Sequence, residues 1–161
     1  MSPAFNSLVE LEAYLLLKVQ KAMEVTVAPE VKKLESENVR EVVYNSYPSP
    51  SEYVRREEHG GLSDVNNMHH EIFAGGNMVV LSVDNETMSN PAYMPNYKDQ
   101  FQIAGLVEYG NNNGHGEYDY PYHEDYLKAR AFIEVTKNQL ESGKVKELFI
   151  EGLAKEGISV I

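Results

Sequence analysis

At 161 residues, 42 % of them hydrophobic, the chain is long enough for one globular domain with a sizeable buried core. It has no cysteine, which excludes a disulfide framework, thiolate metal sites and a cysteine nucleophile. Its formal charge of −11 argues against binding free nucleic acid, which needs Lys and Arg gathered on one face.

The surplus of acid is local. Between Glu57 and Leu127 twelve acidic residues accompany one basic residue, Lys98, whereas the flanks hold thirteen of each sign and are neutral. Two explanations stand side by side: solubility of a loop-rich middle, or a functional negative field. No apolar run approaches the length of a membrane span, so no membrane association is expected. The opening MSPAFNSLVE lacks the basic and apolar regions of a signal peptide, so an intracellular protein is expected and the sequon Asn85-Glu86-Thr87 reads as chance.

In chain order, Ser7 and Glu10 have capping-box spacing. Leu8, Leu11, Leu15, Val19 and Ala22 then follow in steps of three and four, one face of a helix. Pro29 removes a hydrogen bond to the Val25 carbonyl and either kinks this helix or begins a second one. Val31, Leu34 and Val42 resume the stripe, with Asn38 interrupting it. The expectation is a long kinked helix over 7–43, which at 1.5 Å per residue would be about 55 Å long. That exceeds what a compact domain of this size needs, so part of it is expected to pack against another protein, two shorter helices over one sheet being the alternative.

Residues 44–64 form an ordered loop. Pro48 and Pro50 forbid helix, Gly60-Gly61 frees the backbone to turn, and Tyr44, Tyr47, Tyr53 and Leu62 give the segment surface to bury. A β-hairpin is expected over 67–84 around Gly75-Gly76-Asn77, with Val79, Leu81 and Val83 on one face. Residues 85–110 carry a loop and a short helix introduced by Asp99, bearing Phe101, Ala104 and Val107 and ended by Gly110. An acidic, tyrosine-rich loop fills 111–126. A helix over 128–155, with Ile133, Leu140, Leu148 and Leu153 inward and Gly157 as its stop, precedes a short β-prone segment 158–161 that could add an edge strand. Helices at both ends around a small antiparallel sheet make a single α+β domain, 1–161.

None of the motifs carries persuasive catalysis. His69-His70-Glu71 lies in the expected strand, where neighbours point to opposite faces and cannot share a metal. Gly75-Gly76-Asn77 lacks the Lys and Ser/Thr of a phosphate loop. The 111–126 loop holds His115, Glu117, Asp119, His123, Glu124 and Asp125, enough donors for a divalent cation but in no recognised calcium or zinc spacing. A metal-dependent hydrolase centred on His115–Asp125 is therefore the alternative from another class. A third reading is a small regulatory module whose amphipathic N-terminal helix is the ligand.

The order of the stations resembles the small neck and minor-tail proteins of long-tailed bacteriophages, the head–tail joining and tail completion proteins. The matching stations are Tyr44-Asn-Ser-Tyr47-Pro48, Tyr53-Val-Arg55-Arg56 with Gly60-Gly61-Leu62, Leu106-Val-Glu108-Tyr109-Gly110, and Ala129-Arg130-Ala131-Phe132 before a long C-terminal helix. Ala131 stands where that family often has proline, and Glu57-Glu58-His59 lengthens the approach to the glycines. The resemblance implies a non-enzymatic virion protein without cofactor or metal, assembled in the bacterial host cytoplasm. It would form a ring with copies of itself, six-fold when assembled, between a tail tube or tail terminator protein and a head connector protein. Assembly contacts would fall on Tyr47, Tyr53, Arg55, Arg56, Gly60, Gly61, Leu62, Glu108, Gly110, Arg130 and Phe132. DNA would pass through such a ring only as cargo, beside an acidic surface including Glu57, Glu58, Asp84, Glu86, Glu117 and Asp119.

Overall fold

The computed structural model describes residues 4–46, 55–76, 78–89, 101–110 and 129–160. The fold is α+β. Helices α1 (Leu8–Ala22) and α2 (Ala28–Asn38) belong to one helical run that continues to Tyr44, and a two-stranded antiparallel sheet pairs β1 (Met68–Gly75) with β2 (Met78–Asn85). The short α3 (Ala104–Tyr109) follows, then α4 (Phe132–Gln139) and α5 (Val145–Lys155).

Ser7 starts α1 as the spacing requires, its hydroxyl accepting from the Glu10 N–H at 3.2 Å. The Glu10 carboxylate returns to the Asn6 N–H at 2.8 Å, one residue before the position a capping box would use. Pro29 does not stop the run. Immediately before it, Met23–Val27 forms a π turn, closed by the Ala28 N–H bonding to the Met23 carbonyl. A second π turn follows at Val39–Tyr44, and at Leu140–Lys144 two helices meet at a kink where Gly143 takes a non-helical φ of +119°. The C-terminal helix expected to be single is thus broken at Gly143, and it begins at Phe132.

The chain folds into two compact units. The first draws on 1–31, 70–83 and 139–161. In it α1 and α5 run antiparallel: Lys18 and Lys21 reach Glu156 at 3.0 and 3.1 Å, and Ala22 lies against Gly152. Any Cβ at Gly152 would sit 3.1 Å from that of Ala22, so the helices approach to a distance that only glycine admits without a shift. Val27, Val31 and Leu148 form the buried centre, with Met23, Leu81, Val83, Leu140 and Phe149 packed round it. Leu81 and Val83 come from the inward face of β2; on the other face Phe73, Met78 and Val80 are exposed. Helix α5 ends as Gly157 predicts, at φ +82°, with Gly157 N–H on the Ala154 carbonyl and Ile158 N–H on that of Leu153.

The second unit draws on 32–69 and 84–138. Its core is Val39, Val43, Leu62, Ala104, Val107 and Phe132, with Val42, Tyr44 and Ile103 against it. Asn38, which interrupts the apolar stripe, is buried: its amide donates to Thr136 Oγ1 at 2.9 Å, and that hydroxyl donates to the Phe132 carbonyl at 2.7 Å.

Several expectations change. Ile158–Val160 forms no strand, because the helix-ending turn leaves that segment outside the sheet, which has two strands among the described residues. Leu15 and Ile133 are each 39 % exposed instead of core, and Leu8 is more exposed still. In α4 the inward pair is Phe132 and Thr136, and in α1 it is Ala22 that is buried, four residues before Thr26 in the π turn that follows. Phe101 precedes α3 without joining it, because Gln102 bridges to Met88. Asp99 and the 111–126 loop, including the metal-hydrolase candidates His115–Asp125, lie outside the described residues, as do Tyr47, Tyr53 and Lys128.

Candidate functional site

The second unit contains every described station of the motif series, and its geometry begins with the turn at Arg56–Asp64. Glu57 takes a positive φ of 46°, and Gly61 folds back onto it so closely that a Cβ there would come within 2.6 Å of the Glu57 backbone nitrogen. Only glycine fits that approach. Gly60, at φ +84°, donates its N–H to Asp64 Oδ2 at 2.7 Å. Asp64 also accepts from the Asn66 N–H and amide, both at 2.9 Å, and these hydrogen bonds, the Asn66 backbone first, hold its carboxyl below the usual range.

Each carbonyl of the next three residues is taken up by a side chain from elsewhere. Gly61 O accepts from Asn67 Nδ2 at 3.1 Å, Leu62 O from Asn85 Nδ2 at 2.9 Å, and Ser63 O from Ser36 Oγ at 2.6 Å. The second amide proton of Asn85 goes to Glu35 Oε1 at 3.0 Å, and its Oδ1 accepts from the Thr87 hydroxyl at 2.7 Å. Glu35, Ser36, Ser63 and Thr87 are all buried. Burial pushes the Glu35 carboxyl up, the Asn85 bond opposes this, and the Glu108 and Asp84 charges add to the rise. A buried polar network of this kind favours one geometry, and here it holds the Gly-Gly-Leu turn.

The basic and acidic motif residues act as clasps. Arg55 donates to the Tyr44 carbonyl at 2.6 Å and lies over the Tyr44 ring at 5.7 Å, joining the chain on either side of 47–54. Arg56 donates to the Met88 carbonyl at 2.6 Å. Ser89 N–H bonds to Phe101 O at 2.8 Å while Phe101 N–H bonds to Ser89 Oγ at 3.2 Å, closing the ends of 90–100. Glu108, buried, accepts from the N–H groups of Ile133 and Glu134 at 2.8 and 3.0 Å. Those are first-turn donors of α4, left without intrahelical partners, and a carboxylate there also meets the positive end of the helix dipole. The Arg130 N–H adds a bond to the Val107 carbonyl at 2.9 Å, so the two ends of 111–128 are held together.

Leu62, Glu108 and Phe132, assigned to assembly contacts by the resemblance, are therefore buried parts of the frame, and Gly60, Gly61 and Gly110 shape its backbone. Gly110 takes φ +69° and bonds to the Leu106 carbonyl, ending α3. Among the acidic candidates, Glu58 pairs with Arg40 at 2.7 Å and Glu86 lies 3.5 Å from His69; Glu57 and Asp84 are exposed, and Glu117 and Asp119 are outside the described residues. Among the described residues no group of His, Asp and Glu is arranged to hold a metal, and no helix is long and apolar enough to cross a membrane.

Of the network residues, Glu35 and Ser36 carried no motif in the sequence, and Asn85 and Thr87 only the sequon read as chance. Their signal was weak: three polar residues, Glu35, Ser36 and Asn38, within four positions of a helix whose flanking apolar residues are buried.

The second unit thus has the form of a frame whose motif residues bind the bases of long segments, in a chain whose fold is α+β. The chain belongs to YomN, a phage-derived family whose model matches residues 7–155. No curated protein and no solved structure matches the chain.

Proposed function

We propose that the protein is a non-enzymatic structural component of the virion that completes the phage tail or joins it to the head, as a subunit of a neck ring. The observation that carries this reading is the use made of the motif stations. Arg55 and Glu108 through their side chains, Arg130 through its backbone N–H, and the Ser89–Phe101 pair each close the base of a segment, while the Gly60–Asp64 turn is fixed by buried polar bonds. Their chemistry is spent on holding a frame, which is what a connector needs to present contact segments. The phage-derived family and the order of the stations along the chain support the same reading.

In this role the subunits meet through heterologous contacts that close by rotation, with the tail tube or tail terminator on one side and the head connector on the other. Exposed acidic residues such as Glu57 and Asp84 would face the DNA channel, where repulsion acting over about 8 Å keeps a passing duplex from adhering.

The test is a phage carrying Arg55→Ala and Arg56→Ala together. These changes remove two ties to backbone carbonyls but no buried core, so the purified chain is expected to stay folded by circular dichroism. Lysates should contain filled heads and free tails, counted by electron microscopy. Infectious yields equal to wild type, from a folded variant, would remove the reading.

A further inference from the structure

We infer that two copies of the protein pair through the outer face of α1, the two helices lying antiparallel across a two-fold axis. Helix α1 meets α5 through Ala22, yet none of its residues from Leu8 to Lys21 is buried. Apolar side chains nevertheless dominate that stretch: from Leu8 to Val19 only Glu10, Glu12 and Lys18 are charged. A short helix is marginal in water and draws its stability from burying an apolar face, so a helix that is apolar on most sides points to burial in an assembly.

Helical geometry identifies the face. Ala13 precedes Ala22 by about two and a half turns, so it points away from α5. Val9 and Leu17 stand one turn to either side of Ala13 and share its face. They are 73 % and 61 % exposed, and Ala13 is exposed as well. On an ordinary surface helix this outer face is polar. Here it is an apolar strip with a small residue at its centre, which admits a second helix at short range.

Charge names the occupant as a second copy. The chain carries a formal charge of −11, but Leu8–Lys21 balances Glu10 and Glu12 with Lys18 and Lys21 and is neutral, so copies repel least there. The acids stand towards the start of α1 and the bases towards its end. A second α1 laid antiparallel sets acid opposite base at both ends, whereas a parallel one sets like against like. Glu10 and Lys21 are about three turns apart and flank the strip on the same side, so the two-fold forms the Glu10–Lys21 pair twice. Lys21 reaches Glu156 within its own chain and is still 57 % exposed. In that register Ala13 lies beside Leu17 of the second copy, and Val9 beside its Gln20. The contact is isologous, a different class from the heterologous contacts of a ring, and goes beyond the proposed neck role.

Variants of the full chain test it. In sedimentation velocity wild type should pass from monomer to dimer between about 1 µM and 1 mM. Leu17→Glu should weaken that association at least tenfold and leave the melting temperature of the monomer unchanged, because Leu17 is outside the core. The chain has no cysteine, so introduced ones report the register. Under mild oxidation Val9→Cys mixed with Gln20→Cys should give a disulfide-linked dimer, and either variant alone should stay unlinked. Wild type that is monomeric throughout the range overturns the inference, since the face would then be covered within its own copy or by a different protein. Leu17→Glu that associates like wild type overturns it too, as does a mixture that fails to link. Single-cysteine variants that each link to themselves would mean a parallel pair and also overturn it. None of these results touches the ring, which is judged by heads and tails in the Arg55→Ala, Arg56→Ala phage, so the two readings fail separately.

Discussion

Replacing Glu108 by alanine should destabilise the second unit by about 3 kcal/mol. The side chain is 4 % exposed and accepts two hydrogen bonds, from Ile133 N–H at 2.8 Å and Glu134 N–H at 3.0 Å. Hydrogen bonds to a charged group are worth about 1.5–3 kcal/mol each, and the two share one carboxylate, so they do not simply add. Truncation leaves the first-turn donors of α4 without their acceptor and removes a charge of favourable sign for the dipole, about 0.3–1 kcal/mol. A small gain offsets this, since Glu108 is one of the charges that raise the Glu35 carboxyl. Glu108→Gln keeps one acceptor oxygen and should cost about half as much. Urea unfolding followed by hydrogen exchange at Ile133 and Glu134 measures the loss; with a slope of about 1–3 kcal/mol/M the alanine midpoint should fall by roughly 1–3 M. If the alanine variant came within about 0.5 kcal/mol of wild type, the size of a typical surface change, Glu108 would not be the cap described.

Glu35→Gln should stabilise the protein at neutral pH. The folded carboxyl titrates above its unfolded value of 4.5, so wild type gains stability from this group as pH falls through the raised value towards 4.5 and loses it as pH rises. The wild-type minus Gln difference should therefore shrink on acidification; a constant difference from pH 4 to 8 would refute the assignment. Leu148→Ala should cost about 2–5 kcal/mol and Ile133→Ala well under half of that, because Leu148 is buried and Ile133 is 39 % exposed. Equal losses in thermal unfolding would restore the apolar stripe expected from sequence.

Much of the frame could be read from local chemistry. Ser7 as a cap, Gly75-Gly76 as a hairpin turn and Gly157 as a helix stop each state a backbone requirement within a few residues, and each is met. The faces of the terminal helices were less legible. Large residues such as Leu15 carry the sequence signal, whereas the close approach of α1 and α5 is made by Ala22 and Gly152, which add almost nothing to a hydrophobic pattern. Thr136 was hidden for the opposite reason: its hydroxyl reads as solvent-facing, but it is buried because Asn38 and the Phe132 carbonyl satisfy it. Glu108 was singled out as a motif residue, yet its partners lie twenty-five and twenty-six positions away in sequence, beyond any helical spacing. Buried carboxylates and amides of this kind become intelligible only when the fold brings donor to acceptor.

The two π turns have a consequence for how the gene can change. A π turn holds one residue more than the α-helical turn it replaces, and each residue of a helix accounts for about 100° of rotation. Deleting one codon within Met23–Val27 or Val39–Tyr44 can therefore be absorbed by reversion to ordinary helix, leaving the packed faces on either side in phase. The same deletion in β1 or β2 would turn every subsequent side chain to the opposite face. Single-residue length differences among relatives should thus collect at the wide turns of the helices and be absent from the hairpin.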